Sequence, residues 1–264
     1  MTKYVALYDM HFGYEIRTVD GKKKKSPTHS LASVKAVFNF MEDFKPDTVI
    51  LGGDQVEFGA ISHHNNGKPR LVEGLRLTDD MDLLNTHVLT PLEFIESIKK
   101  KVWLTGNHEN RVERYLNEHP GAEGIIEPEN YLSLKKRGWI IQPEEVPYQI
   151  GKLNFVHGHS IFANGSGPNP AKKLAYHYRR NIIAGHLHTH EVATDITPAD
   201  REDFHCAVIS PALCVASPEY MKNRPSNFQR GFVYGYVRQD GNFNNYIAIL
   251  TNNKFTVNGT TYGN

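Results

Sequence analysis

Val102-Trp103-Leu104-Thr105-Gly106-Asn107-His108-Glu109 is the stretch whose reading decides the fold. Three apolar residues with strand character stop abruptly on a glycine, an amide, an imidazole and a carboxylate. The same pattern recurs outward on both sides. The run YVALY at 4–8 stops at Asp9-Met10-His11, and TVIL at 48–51 runs into Gly52-Gly53-Asp54. LNFV at 153–156 leads into His157-Gly158-His159, and IIA at 182–184 into Gly185-His186-Leu187-His188. Five short apolar segments therefore each end in residues that bind metals. In an open α/β sheet the carboxyl ends of the strands form the crevice where ligands bind, so these side chains can converge.

Between these segments the periodicity turns helical. Leu31, Val34, Val37, Phe38 and Met41 recur at helical spacing within 29–44, and Pro46-Asp47 ends that run. A helix is predicted over 79–100 with a break at Pro91, another over 111–118 stopped by Pro120-Gly121, and another over 171–178. The lysine run 22–25 reads as part of a polar loop. Beyond residue 200 the chain is mostly strand-like, with 232–237 facing 246–250 across Asp240-Gly241, and Asn252-Asn253 offers a further turn. No repeat or linker divides the 264 residues, so one α/β domain over 1–264 is expected.

Composition narrows the function. Thirty Lys and Arg against 29 Asp and Glu give a net charge of +1, so no global basic field is present. Cys206 and Cys214 are the two cysteines, too few for a disulfide scaffold and not a CxxC pair. No apolar run approaches ~18 residues, which excludes a helical membrane span, and the N-terminal MTKYVALYDMH has no signal-peptide core. A cytoplasmic protein without membrane partners is expected. Histidine is in excess, with 14 residues, and its placement at strand ends gives that excess a reason.

Mixed imidazole and carboxylate donors favour Mn, Fe, Zn or Ni over the all-oxygen preference of Mg or Ca. One carboxylate can bridge two ions, and a pair of ions ~3.5–4 Å apart clamps the attacking and leaving oxygens of an in-line displacement at phosphorus.

In order, Asp9-Met10-His11, Gly53-Asp54, Gly106-Asn107-His108-Glu109, His157-Gly158 and Gly185-His186-Leu187-His188 resemble the calcineurin-like metallophosphoesterase superfamily. The resemblance spans roughly residues 4–190 and is specific because five weak motifs occur in sequence. It implies a four-layer α/β/β/α sandwich of two mixed sheets flanked by helices. It implies two divalent ions, with Mn first and Fe, Zn, Ni or Mg as other candidates. Asp9, His11 and His188 would hold one ion, Asn107, His157 and His186 the other, and Asp54 would bridge them. His108 would stabilise the phosphoryl oxygens or protonate the departing oxygen, with Asp54 or Glu57 holding its tautomer. His157 is favoured over His159 as ligand because it directly ends the apolar run.

The reaction implied is phosphoester hydrolysis by a metal-activated hydroxide. Asp9-Met10-His11-Phe12-Gly13-Tyr14 is similar to the opening of the SbcD-type nuclease branch, so a phosphodiesterase or nuclease acting on nucleic acid or nucleotides is expected. A phosphomonoesterase or protein phosphatase is the alternative, and the Ser/Thr protein phosphatase branch is disfavoured because Gly53-Asp54-Gln55-Val56 lacks an Asp-Arg-Gly after the second motif. A metal-binding scaffold without activity is a further alternative. Arg111, His63 and His64 are the candidate substrate contacts, Arg111 because its guanidinium can bind a phosphate oxygen bidentately. Lys22 to Lys25, residues 164–173 and His190 are weaker candidates, and Arg114 reads as a surface charge.

Overall fold

The computed structural model describes residues 1–197, 200–215, 219 and 226–263. The chain opens with β1 (Thr2–Leu7), a hairpin of β2 (Tyr14–Val19) and β3 (Lys22–Pro27), α1 (Leu31–Phe44) and β4 (Thr48–Leu51). It continues through α2 (Leu77–Leu84), α3 (Thr90–Glu93), β5 (Lys100–Leu104), α4 (Asn110–Glu118), α5 (Pro128–Tyr131) and β6 (Trp139–Gln142). The second half comprises β7 (Tyr148–Ile150), β8 (Leu153–Val156), α6 (His159–Phe162), α7 (Pro170–Tyr178) and β9 (Asn181–Ala184). After it come β10 (Glu191–Thr197), β11 (Asp200–Ile209), β12 (Gly231–Val237), β13 (Phe243–Ile249), β14 (Phe255–Val257) and β15 (Thr260–Tyr262).

Two mixed sheets result, one ordered β13-β12-β1-β4-β5-β6 and the other β10-β11-β9-β8-β7. Strand alternation explains how they stack. On β1, β4 and β5, Val5, Leu7, Val49, Leu51 and Trp103 face Val34, Val37, Phe40, Met41, Met81 and Leu84 of the helical layer. Their alternate residues Tyr4, Ala6, Ile50, Val102 and Leu104 face Leu153, Phe155, Ile183 and Val208 of the second sheet. On that sheet, Val156, Ile182, Ala184, Ala207 and Ile209 turn the other way, onto Ala171, Leu174 and Ala175 of α7. Helix, sheet, sheet and helix form four layers, and each central strand is apolar on both faces, which is why it reads as an unbroken apolar run. Burial of each large side chain contributes ~1.5–3 kcal/mol.

Two elements depart from the sequence reading. The helix expected over 79–100 runs only from Leu77 to Glu93, with a π-type turn at Asn85–Leu89 ahead of Pro91. Proline lacks an N–H and its ring clashes with the preceding turn, and the widened turn accommodates both. Residues 94–99 belong to the connection into β5. Lys22 to Lys25 form the strand β3 rather than a loop, because Asp20 (φ 52°) and Gly21 (φ 72°) close a tight hairpin turn. No helix among the described residues is long and apolar enough to cross a membrane.

On α2, Asp80 is buried with its carboxyl against Gly13 and Glu57. Burial first, and then the charge of Glu57, pushes its pKa up to about 8, against one backbone donor from Phe58. The neutral acid is the form that folding favours. Its contribution is complete below the free value of 3.8 and is lost as pH rises through about 8. Asp80→Asn, which keeps an acceptor for Phe58, is therefore expected to raise the unfolding temperature of the metal-free protein at pH 8 and to change it little at pH 4. Equal effects at both values would contradict this burial of a neutral acid.

Candidate metal centre

The loops leaving β1 and β4 are zipped together by their backbones. Asp9 N–H donates to Gly53 O (3.1 Å), His11 N–H to Asp54 O (2.9 Å) and Phe12 N–H to Gln55 O (2.8 Å). That register sets Asp9 and His11 beside Asp54. The path demands left-handed backbone at Asp9 (φ 51°), His11 (φ 47°), Asp54 (φ 52°), His186 (φ 69°) and His188 (φ 57°). Such conformations cost on the order of 1 kcal/mol each outside glycine and cluster at functional sites.

Glu109 locks the next loop to these. Its buried carboxylate accepts from the backbone N–H of Asp54 (2.9 Å), Gln55 (2.9 Å), Val56 (3.1 Å) and Gly106 (2.9 Å). A Cβ at Gly106 would overlap Asp54 Oδ1 and the Asp54 nitrogen, so only glycine admits this approach. The sequence reading quoted Glu109 within its motif but gave it no task. Its work is on the backbone, which residue type alone does not announce.

At the centre, acceptor atoms face one another. His11 Nε2 and His188 Nε2 are 3.2 Å apart, while His11 Nδ1 is bound to Glu57 Oε2 (2.9 Å) and His188 Nδ1 faces Cys214 Sγ (3.7 Å). With the protons drawn to the Nδ1 side, two Nε2 lone pairs oppose each other and need a cation between them. Asp9 Oδ1 lies 3.4 Å from His188 Nε2 and is buried without a hydrogen-bond partner. A second group repeats the arrangement. His157 Nδ1–H donates to Gly52 O (3.1 Å), leaving Nε2 facing Asn107 Oδ1 (3.1 Å) and Asp54 Oδ2 (3.4 Å). His186 joins Asp54 and His157 within one ligand-sized group, and Asp54 also groups with His11 and His108. Donor atoms about 3 Å apart are spaced as neighbours on one metal ion bound at ~2.1 Å. The residues therefore fit two ions sharing Asp54.

The electrostatics agree. Burial opposes a proton on His157, yet Asp54, then Asp9 and Glu109, push its pKa up to about 10. Burial likewise opposes a proton on His11, and Glu57 overrides it to about 9. The cluster of carboxylates demands positive charge, which metal ions supply by displacing those protons. His186 moves the other way, to about 4, through burial and the neighbouring His157.

His108 sits on the same rim. Its backbone N–H donates to Asp54 Oδ1 (2.8 Å), and its ring Nε2 is 3.8 Å from Asp54 Oδ2. The expected carboxylate partner is replaced: Nδ1 is bound to the main-chain O of Glu57 (2.9 Å), with Glu57 Oε2 at 3.5 Å. Its Nε2 meets Arg111 Nη2 at 2.7 Å. Burial and Arg111 outweigh Asp54 and Glu57, lowering the His108 pKa to about 3.

His159 stands apart from the donor groups. Its ring lies between Glu144 Oε1 (2.7 Å) and Glu145 Oε1 (2.9 Å), and Ser160 and Tyr178 also bind Glu145. His63 and His64 are exposed on the loop after β4, ring against ring at 3.8 Å. Burial, His63 and Arg111 together lower the His64 pKa, which puts that loop within electrostatic reach of Arg111. His190 is tied to Gln229 and Arg114 is exposed; the lysines of β3 are exposed too, with Lys25 Nζ paired to Asp79 (2.7 Å) and lying over the Tyr14 ring. Residues 164–173 connect α6 to α7 and form its first turn.

Fold and site together define a metal-dependent phosphoester hydrolase. The chain belongs to the calcineurin-like phosphoesterase family, whose model matches residues 9–191. It is similar to the Gene 54 protein of Mycobacterium phage D29, 23% identical over 244 residues that cover 88% of this chain and 93% of that one. Among solved structures it is similar to a double mutant of Vps29 from Entamoeba histolytica (TM-score 0.46, 12% identity, 96% of each chain). It is also similar to a predicted phosphoesterase from Streptococcus pneumoniae TIGR4 (TM-score 0.39, 13% identity, 98% of this chain and 95% of that one).

Proposed function

We propose that the protein is a phosphodiesterase or nuclease acting on nucleic acid or nucleotides, with Mn as the preferred metal. The observation that carries the catalytic part is the buried set of opposed acceptors around Asp54. Asp9, His11 and His188 would hold one ion, Asn107, His157 and His186 the other, and Asp54 both. When bound, such a pair supplies Lewis acidity at phosphorus and lowers the pKa of a coordinated water towards neutrality.

The protein's own groups then orient the substrate. Arg111 pairs with the carboxylate of Glu57 at the rim of this centre, 3.5 Å away, and contacts the His108 ring. The diesterase reading is supported by the likeness of Asp9-Met10-His11-Phe12-Gly13-Tyr14 to the opening of the SbcD-type nuclease branch. His63 and His64, on the loop after β4 and within electrostatic reach of Arg111, would be further substrate contacts.

A cleavage panel tests this reading: single- and double-stranded DNA, RNA, cyclic and linear nucleotides, an aryl phosphodiester, an aryl phosphomonoester and a phosphopeptide, each with Mn, Fe, Zn, Ni or Mg. Diester cleavage with Mn exceeding the other metals is expected. Turnover confined to monoesters would move the protein to the phosphatase alternative, and absence of bound metal together with absence of turnover would overturn the proposal.

A further inference from the structure

Resting on that hydrolytic reading, we infer that Arg111, rather than His108, is the group that meets the phosphoryl oxygens, and that His108 acts through it as a positioning residue. The two are three residues apart on the turn that opens α4, so their side chains share one face. The His108 ring has no free end. Nδ1–H donates to Glu57 O at 2.9 Å, and the Nε2 lone pair accepts from Arg111 Nη2 at 2.7 Å. A ring so placed has no proton pointed at a departing oxygen.

Arg111 has what the ring lacks. Nη1–H donates to Glu57 O (2.6 Å) and reaches Glu57 Oε1 (3.5 Å), while Nη2–H is aimed by His108. The guanidinium carries more N–H donors than these three contacts use, on Nε and Nη2, and they remain for an oxyanion. Its side chain is only 11% exposed, so the charge acts where water screens it little. The His108 Nε2 that the guanidinium contacts is itself 3.8 Å from Asp54 Oδ2, so the ring links Arg111 to the carboxylate shared by the two donor groups. Stabilisation of non-bridging oxygens by a fixed cation does not depend on how good the leaving group is, whereas proton donation to the leaving oxygen does.

The experiment compares Mn-loaded wild type, Arg111→Met, Arg111→Lys, His108→Ala and the Arg111→Met/His108→Ala double variant. Substrates are aryl phosphodiesters with a good and a poor leaving group, and calorimetry measures binding of inorganic phosphate. Metal content and thermal unfolding establish that each variant keeps its site and fold. Arg111→Met is expected to slow both substrates by the same factor, about 10²-fold, and to weaken phosphate binding at least ~10-fold. Arg111→Lys, which keeps the charge without the planar fork, should fall between. The double variant should be no slower than Arg111→Met. A His108→Ala loss concentrated on the poor leaving group, with Arg111→Met close to wild type, would overturn the assignment. So would unchanged phosphate binding in Arg111→Met, a readout that holds even for a protein that cleaves none of the phosphoesters and so fails the hydrolytic reading.

Discussion

Asp54→Asn is expected to empty both metal positions together and to lower turnover by about 10³-fold, equivalent to ~4 kcal/mol of barrier. Asp54 Oδ2 is 3.4 Å from His157 Nε2 and 3.9 Å from His11 Nε2, so one oxygen serves both donor groups. Its other oxygen accepts the His108 N–H at 2.8 Å, a bond that the amide oxygen of asparagine retains. The new NH₂ would face the lone pair of His157 in place of a metal, which keeps the loop packed while removing charge from the centre. Loss of function should therefore come without loss of fold. Metal content measured on the purified variant decides the matter: two ions per chain, held as tightly as in wild type, would refute the shared position.

Glu109→Ala should act in the opposite sense, on the fold before the chemistry. Four backbone N–H groups, of Asp54, Gln55, Val56 and Gly106, depend on this one carboxylate. Asp54, Gln55 and Val56 are buried, so water replaces the lost acceptor poorly. At ~1–3 kcal/mol for each stranded donor, partly relieved by movement of the loops, a loss of about 4 kcal/mol is expected. Urea unfolding of the metal-free protein measures it without interference from ligand loss, and a change under ~1 kcal/mol would show that the clamp is dispensable. Glu109→Gln keeps one acceptor but turns an NH₂ against donors, and should be intermediate.

The difference between these two residues shows what the chain discloses unaided. Asp54 was legible because it ends a buried strand and carries a ligand's chemistry, as do Asp9, His11, His157, His186 and His188. The four layers were legible through the family resemblance, and the central strands are apolar on both faces. Glu109 stands in the quoted motif, but a carboxylate bound to backbone N–H groups looks in sequence like one bound to anything else. The Arg111–His108 contact escaped because it depends on side-chain placement across the first turn of α4, and because the carbonyl of Glu57 displaced the expected carboxylate. The hairpin of β2 and β3 had its signal in Asp20-Gly21, masked by a lysine run that resembles solvated loop. The helix end at Glu93 turned on a widened turn at Asn85–Leu89, which has no composition of its own.

The left-handed backbone at Asp9, His11, Asp54, His186 and His188 bears on what the site costs the chain. Glycine would adopt this backbone at each of these positions at lower conformational cost. All five positions instead hold aspartate or histidine. If these five residues hold the ions as proposed, the chain keeps each ligand side chain at a backbone cost that glycine would not carry.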